Sequence, residues 1–203
     1  MFKWGVVLKE SGLILKNYLP NKYKVAILND RGERFEAIAN LPATIEKLRP
    51  GYRITYTLLH STQFAKFGDI EITFVPKAVS YESLKFLHQV LELCVIIIPE
   101  GQIASEATDL LNILTNHNTN NWSAARRRLL ICCLLSSLGF YAEFNEYELI
   151  YKVEQISKIR PYDFMEFEID LDFDRLLIDW IANFINTNVS PRLVALFASI
   201  YQI

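Results

Sequence analysis

Residues 22–39, KYKVAILNDRGERFEAIA, contain two runs of alternating apolar and polar residues with a short turn sequence between them. In the first run, Val25 and Ile27 fall on one side of an extended strand. The residues Asp30–Gly32 supply the turn, because a glycine adopts the positive φ that a tight turn requires. The stretch therefore predicts a β-hairpin.

Runs with the same two-residue period lie on both sides of this hairpin. They are WGVVLKE at 4–10, YRITYTL at 52–58 and DIEITFV at 69–75. Five or six short antiparallel strands favour a small barrel, because closing a sheet removes its exposed edges. We therefore expect an OB-like barrel over residues 1–78, with an SH3-like barrel as the alternative.

From Ser80 onward the apolar residues recur every three or four positions. The segment SYESLKFLHQVLELCVIII, residues 80–98, predicts an amphipathic helix behind a serine N-cap, and Pro99 and Gly101 end it. Further helical stripes follow, and Ser190 with Pro191 is a typical N-cap and first turn of a last helix.

The later helical stripes lie at 103–114, 124–138 and 173–185, with an acid-rich stretch before the last of them. We interpret that stretch, at about 140–172, as an acidic insertion. The expected fold class is therefore α+β, with a small antiparallel β-barrel followed by a mainly α-helical domain over residues 79–203.

The motifs of common enzymes do not occur in the chain. It has no glycine-rich phosphate loop, no nucleophile elbow and no zinc-protease helix. The histidines His60, His88 and His117 are scattered without a catalytic partner at a suitable spacing. We therefore expect a protein without enzymatic activity and without a cofactor.

The apolar runs are short. The longest, Leu129 to Leu135, falls far below the ~20 residues of a membrane-spanning helix, and the first residues do not resemble a signal peptide. Three cysteines are too few for a disulfide framework, which suits a reducing compartment. We expect a cytoplasmic protein that does not enter a membrane.

Two groups of residues resemble metal ligands at first sight. Cys132 and Cys133 are neighbours on a predicted helix and point about 100 degrees apart, so they suit buried core thiols better than one metal ion. The acids at 170, 172 and 174 resemble the start of a calcium loop, but Arg175 and Ile181 occupy the positions of its glycine and its last acid. We expect helix capping there and no metal site.

The charge of the chain is uneven. Residues 1–78 carry 12 Lys and Arg against 7 Asp and Glu, a net charge of +5, and the remainder carries 9 against 16, a net charge of -7. Cations interleaved with aromatic rings suit single-stranded nucleic acid, which needs charges for its phosphates and rings for its bases. The candidate nucleic-acid-binding residues are Lys9, Lys16, Lys22, Lys24, Arg31, Arg34, Arg53 and Lys66.

The rings interleaved with these cations are Trp4, Tyr18, Tyr23, Tyr52 and Tyr56. Strands of this type always place charges outside, and several of the rings would equally well fill the barrel. A solvated, charged surface is therefore the alternative to a nucleic-acid site.

Three consecutive arginines, Arg126, Arg127 and Arg128, precede the apolar run of a predicted helix. They fan over about 200 degrees, so at most two of them face one ligand. We interpret them as candidate partner-binding residues. A solvated helix end, or salt bridges to the acidic insertion, is the alternative.

The order of these elements resembles the RecO family of DNA recombination mediators, whose members join an N-terminal OB barrel to a helical domain. The segment RRRLLICCLLSSLGF at 126–140 is similar to the family's R-x-x-L-L-x-x-L-G-[YF] helix. The other similar segments are GVVLKESGLI at 5–14, LNDRGERFEAIA at 28–39, RPGYRITYTLL at 49–59, DIEITFVP at 69–76, SLKFLHQVLELCVIIIPEG at 83–101 and LLIDWIANFINTNVSPRLVALF at 176–197.

The resemblance implies a mediator that binds single-stranded DNA and the single-strand-binding protein, assists recombinase loading with a RecR-type partner, and anneals strands. Many members carry zinc-binding cysteines after the Gly-aromatic pair, and this chain has none there. Packing by Tyr147, Leu149, Tyr151 and Phe164 would then replace the metal. The alternative is an interaction scaffold with a mediator-like fold and no DNA activity.

Overall fold

A computed structural model describes residues 9–18, 24–38, 46–60, 65–77, 80–141, 151, 154–156, 158–159, 163–188 and 190–201. Residue contacts divide the chain into two compact units. The first contains Met1–Lys77 and Cys94–Thr108, and the second contains Ala78–Leu93 and Asp109–Ile203.

Five strands form the barrel of the first unit. They are β1 Lys9–Asn17, β2 Lys24–Asn29, β3 Arg34–Ile38, β4 Arg53–His60 and β5 Ala65–Phe74. The barrel is closed, with the strand order β1-β2-β3-β5-β4 and a final pairing of β4 with β1. β3 and β5 pair in parallel and the other pairings are antiparallel. The expected OB-like barrel followed by a helical region is confirmed.

The hairpin that joins β2 and β3 has the predicted turn. Gly32 adopts a φ of +83°, and its N–H donates to the Asn29 carbonyl over 2.8 Å. The Asn29 N–H donates to the Glu33 carbonyl over 3.0 Å. A Cβ atom at position 32 would lie 2.5 Å from the backbone nitrogen of Ser105. Glycine is therefore required here both by the turn and by the close approach of the chain.

Apolar side chains that alternate along the strands fill the barrel. Tyr56 is completely buried among them, with its ring centroid 5.6 Å from that of Phe67 and 5.8 Å from that of Phe35. The buried members of this core are Ile14, Val25, Ile27, Ala37, Leu48, Ile54, Tyr56 and Phe67. Removal of a ring from such a core costs about 3–5 kcal/mol of stability.

Residues 151, 154–156 and 158 are helical, and five longer helices follow the barrel in the described part of the chain. They are α1 Tyr81–Ile97, α2 Ser105–Asn116, α3 Ala124–Ser137, α4 Leu171–Thr187 and α5 Pro191–Tyr201, with a 3-10 turn at Thr119–Asn121 before α3. None of the helices described here is long and apolar enough to cross a membrane.

Both ends of α3 are capped. Ser123 accepts a hydrogen bond from the Arg126 N–H at the start of α3. Gly139 closes the same helix with a φ of +83°, and the Phe140 N–H donates to the Leu135 carbonyl over 2.9 Å. Such pairing satisfies carbonyls that a helix end otherwise leaves without donors.

Asp170, directly before α4, caps this helix, as the sequence predicts. The Asp170 carboxylate accepts a hydrogen bond of 2.7 Å from the Phe173 N–H. A negative charge at this position also interacts favourably with the positive end of the helix dipole. The N-cap interpretation of Asp170 is therefore confirmed.

The paired cysteines of α3 lie in the core of the second unit. Cys132 and Cys133 are buried and free of disulfides, which confirms their interpretation as core thiols. Burial raises the pKa of Cys133 to about 12. These thiols are therefore poor nucleophiles near neutral pH.

The acidic insertion is described only in part. Phe164 is completely buried and its ring centroid lies 5.4 Å from that of Trp122, so it supplies the apolar packing expected of it. Tyr151 is 62% exposed and does not supply such packing. Tyr147 and Leu149 lie outside the described residues.

Candidate nucleic-acid interface

A row of three residues, with one lysine on each side of an isoleucine, crosses one end of β2, β3 and β5 on the outer surface of the barrel. Lys24 pairs with Ile38 across the antiparallel pair, and Ile38 pairs with Lys66 across the parallel pair. Residues opposite each other in neighbouring strands project to the same face. Because Val25, Ala37 and Phe67 point into the core, this row points outward.

Tyr18 lies beside this row, directly after β1. Its N–H donates to the Lys24 carbonyl over 3.1 Å, which extends the pairing of β1 with β2. The ammonium of Lys24 lies 5.0 Å from the centroid of the Tyr18 ring, and that of Lys16 lies 5.6 Å from it. The half-buried ring thus has two cations near it, at distances typical of cation–π contacts.

Glu36 connects the cations of this surface. It forms an ion pair with Lys24 and a second one of 3.1 Å with Arg34. It also accepts a hydrogen bond of 2.8 Å from the Tyr18 hydroxyl. Lys16, Tyr18, Lys24, Glu36 and Lys66 are called the outer-face cluster below.

The contacts between Glu36 and its neighbours shift the pKa of Glu36 and that of Tyr18. Burial alone would raise the pKa of Glu36, but hydrogen bonds from Lys24 and Tyr18 and the charges of Lys24 and Arg34 outweigh it, so the pKa lies below its ordinary value. Burial and the bond to Glu36 raise the pKa of Tyr18 to about 12. Glu36 is therefore a carboxylate and Tyr18 a neutral phenol near pH 7.

Arg34 does not belong to the accessible part of this surface, although it is a predicted nucleic-acid-binding residue. It is 8% exposed, and its guanidinium donates to the carbonyl of Ile98 over 3.0 Å. Its backbone N–H donates to the Gln102 carbonyl over 3.1 Å. The prediction that Arg34 binds nucleic acid is therefore corrected. Its guanidinium pairs with Glu36 inside the unit, where a nucleic-acid strand at the surface does not reach it.

Three other predicted cations form ion pairs elsewhere on the barrel. Lys9 pairs with Glu71 at 3.3 Å, Arg31 with Glu10 at 2.9 Å and Arg53 with Asp30 at 2.7 Å. These acids offset part of the charge that the sequence places on the barrel. Lys22 lies outside the described residues.

The predicted aromatic rings divide between the surface and the core. Tyr56 fills the barrel and donates to Glu10 over 3.3 Å. Tyr52 packs against the same core. Trp4 and Tyr23 lie outside the described residues. Of the predicted rings that the structure describes, Tyr18 is therefore the one on the outer face.

The remainder of the outer face of β2 is covered. Ala26 and Leu28 alternate with the core residues and so point outward, yet both are completely buried. Residues 98–104 belong to the same unit and form backbone hydrogen bonds along the start of β3, including 2.8 Å from Ala104 N–H to the Gly32 carbonyl. This part of β2 is therefore closed to a ligand, whereas the Lys24 side chain at its start is 29% exposed.

A small polar cavity lies near the end of β1. It has a volume of about 350 Å³ and is lined by Asn17, Glu46, Leu48, Arg49 and Pro50. The Asn17 amide donates to the Leu48 carbonyl over 2.9 Å. One acid and one arginine in this lining offset each other, so the cavity adds little net charge to the barrel.

The three arginines of α3 bind other parts of the second unit. Arg126 donates to the carbonyls of Phe164 and Phe167, the latter over 2.7 Å. Arg128 forms two hydrogen bonds with Asp174, of 2.8 and 2.7 Å. Arg126 and Arg128 thus bind residues of their own unit, and the partner-binding role of the three arginines stays a prediction.

The environment of Arg127 differs from those of Arg126 and Arg128. It is 8% exposed, and its guanidinium lies 5.2 Å from the centroid of the Phe86 ring. Burial lowers its pKa, while the charge of Glu82 partly offsets this effect. The three arginine side chains therefore point in different directions, as expected from the helix. Arg126, Arg127 and Arg128 each contact a different part of the same unit.

The described residues contain no group of three or more His, Cys, Asp or Glu side chains that could hold a metal ion. The outer-face cluster therefore has its chemistry from ammonium groups, one phenol and one carboxylate. Groups of these kinds are typical of sites that bind anions and planar rings.

The fold and the cluster define a barrel protein of OB type with a cationic, aromatic outer surface. Comparison of the chain with protein-family models finds no match, and comparison with curated proteins finds none. The resemblance to recombination mediators stays a prediction from the sequence.

Proposed function

We propose that this protein binds single-stranded nucleic acid through the outer-face cluster of its barrel. The observation that carries the proposal is the proximity of the Tyr18 ring to two ammonium groups, with Lys16 Nζ 5.6 Å and Lys24 Nζ 5.0 Å from the ring centroid. Single-strand binding combines cations that follow the backbone with rings on which bases stack. OB folds bind oligonucleotides on the face formed by strands 2 and 3 and on the adjoining loops.

The cluster would bind a nucleic-acid strand without making or breaking a covalent bond. Lys16, Lys24 and Lys66 would bind phosphates and release their counterions, and Tyr18 would stack on one base. Glu36 opposes this binding, because it already pairs with Lys24 and repels phosphate. The affinity then depends on how readily a phosphate displaces the carboxylate from Lys24.

We further propose that the activity is that of a DNA repair and recombination mediator. This part of the proposal rests on the resemblance to the RecO family, which implies binding of the single-strand-binding protein, a RecR-type partner, recombinase loading and strand annealing. Cations that hold two strands close would screen their repulsion, and base pairing would drive annealing. A cytoplasmic location belongs to the same proposal, since Cys94, Cys132 and Cys133 are free thiols.

Fluorescence anisotropy tests the proposal directly. A labelled single-stranded oligonucleotide and a labelled acidic tail peptide of the single-strand-binding protein are titrated separately with the full chain at low salt. Binding of the oligonucleotide that weakens in Tyr18→Ala supports a nucleic-acid function, and binding of the peptide supports the mediator role. Absence of both would contradict the proposal.

The second candidate function is an interaction scaffold without DNA activity. The observation that favours it is the pairing of Lys9, Arg31 and Arg53 with acids, at 3.3, 2.9 and 2.7 Å. A salt titration separates the two functions, because nucleic-acid binding weakens steeply as salt rises and apolar docking does not.

A further inference from the structure

Strand β5 of the barrel has one edge that is paired over a short stretch only. β5 spans Ala65–Phe74, and β4 pairs with it from end to end. On its other side, β3 pairs with it at Ala65 and Lys66, and the barrel closes through those two residues. Among the described strands, β5 therefore has a neighbour on one side alone from residue 67 onward.

The exposure of the side chains shows that this edge is open. Ile72 pairs with Ile54 of β4, and paired residues project to the same face of a sheet. Ile54 is nevertheless completely buried, whereas Ile72 is 40% exposed. Glu71, which points to the opposite face, is exposed as well. Exposure on both faces is expected of a strand that lacks a neighbour on one side.

The backbone of this edge is available for pairing. Alternate N–H and C=O groups of an edge strand point away from its neighbour, where another strand can bind them. Residues 69–74 make no backbone hydrogen bond to a described residue outside β4. The Asp69 N–H donates to the Thr57 hydroxyl, which belongs to β4 too. Edges of this kind accept extended peptides as additional strands.

The side chains of the edge determine which peptide fits. Ile70 and Ile72 lie on one face, and Ile70 packs against the barrel core. Asp69 and Glu71 alternate with them and so lie on the outer face, where both are exposed. An added strand places its own residues beside these on the same two faces. It therefore needs cations beside the acids and apolar residues beside the isoleucines.

A second copy of the chain suits this edge less well. Two β5 edges that pair antiparallel about Ile72 place Glu71 opposite Thr73 and Asp69 opposite Val75. No acid then meets a cation, and the acids of both copies share one short ladder, which like charges destabilise. The acids favour a partner of opposite charge.

We propose that the β5 edge, residues 69–74, binds an extended peptide of a protein partner by strand addition, and that basic and apolar residues alternate in this peptide. Main-chain hydrogen bonds would supply the affinity, and the two acids would select the partner. The outer-face cluster lies at the start of β5, at Lys66, and carries the opposite charge. Peptide binding at the edge does not depend on nucleic-acid binding at that cluster.

Anisotropy with labelled peptides tests the proposal on the full chain at low salt. The probe is a peptide of about eight residues in which lysine and valine alternate. One comparison peptide has the same composition with the lysines and valines in two separate blocks, and another alternates glutamate with valine. We expect the lysine–valine peptide to bind at least about tenfold more tightly than either, because it alone matches both faces of the edge.

Reversal of the edge charge should reverse the preference. The double variant Asp69→Lys with Glu71→Lys changes two exposed side chains, so the fold should tolerate it. It should weaken the lysine–valine peptide at least about tenfold and bind the glutamate–valine peptide instead. The control Glu46→Lys with Glu100→Lys makes the same change of net charge at exposed positions of the same unit. It should bind the lysine–valine peptide like the original chain.

Amide hydrogen exchange, followed by NMR, distinguishes strand addition from attraction between charges. The lysine–valine peptide should slow exchange of amides within residues 69–74, and the block peptide should not. Equal binding of the alternating and block peptides, or equal weakening in the two double variants, would overturn the proposal. So would a dimer in sedimentation velocity with these amides protected before peptide is added, because a second copy would then occupy the edge.

Discussion

The Tyr18 hydroxyl donates to the Glu36 carboxylate over 2.8 Å, and Glu36 also pairs with Lys24 and Arg34. The carboxylate therefore occupies, within the chain, a position that a phosphate would compete for. If the outer-face cluster binds a strand as proposed, we expect Glu36 to limit its affinity.

Replacement of Glu36 by glutamine should tighten oligonucleotide binding. The amide keeps a hydrogen-bond acceptor for Tyr18 but removes the charge that pairs with Lys24. We expect roughly tenfold higher affinity at low salt, equal to about 1.4 kcal/mol, measured by anisotropy. Glu71→Gln removes an exposed carboxylate from the same barrel, 69% exposed in its pair with Lys9, and should change the affinity less than threefold. Equal effects of the two variants would contradict a specific role for Glu36.

Glu36 should also affect the acid stability of the protein. Its pKa in the folded chain lies below the ordinary value, so its stabilising effect is present above that ordinary value and is lost as the pH falls through the folded pKa. Urea unfolding from about pH 6 to about pH 3 should therefore show a steeper loss of stability for the original chain than for Glu36→Gln. If the free energy of unfolding had the same pH dependence in both proteins, this would argue against the pairing of Glu36 with Lys24 and Arg34.

The contact between Arg128 and Asp174 should stabilise the second unit. Both side chains are about four-fifths buried, at 20% and 23% exposure, and they meet through two hydrogen bonds. We expect Arg128→Ala to lower the free energy of unfolding by about 1–3 kcal/mol.

The matched control is the exposed pair of Arg175 and Asp172, whose side chains are 79% and 75% exposed at 3.6 Å. Arg175→Ala should change stability by less than about 0.5 kcal/mol. A double-mutant cycle of Arg128 and Asp174, measured by urea unfolding, should show coupling. Additive effects in that cycle would rule out the pair as a source of stability.

The three cysteines should be unreactive in the folded chain. Cys94, Cys132 and Cys133 are buried, and burial raises the pKa of Cys94 and of Cys133 to about 12. A thiol-reactive chromogenic disulfide should therefore label none of them near neutral pH in the native protein and all of them in guanidinium chloride. Rapid labelling of the native chain would show that the core around α1 or α3 opens readily.

The barrel was predictable because period-two runs and the Asp30–Gly32 turn are local features of the sequence. The parallel pairing of β3 with β5 was not, since it joins residues with no shared local pattern. Position 139 was predictable as a helix cap for the same local reason, because glycine is the residue that tolerates a φ of +83°.

The candidate site was predictable in composition and only partly in geometry. The burial of Arg34 depends on residues 98–104, which lie far away along the chain, so no local pattern shows it. The pairing of Arg128 with Asp174 is equally remote in sequence. The role of Glu36 had a local signal: it alternates with Phe35 and Ala37 and so shares a face with Arg34.

The salt dependence of oligonucleotide binding tests the central claim most directly. Each phosphate contact to a single strand contributes about -0.7 to the slope of log affinity against log salt. We predict that combined replacement of Lys16, Lys24 and Lys66 by alanine reduces the magnitude of that slope by about 2. The control replaces three lysines elsewhere, Lys77, Lys85 and Lys158, and should leave the slope unchanged. An equal slope in both variants, or no binding by the original chain at low salt, would contradict the claim that the outer-face cluster binds single-stranded nucleic acid.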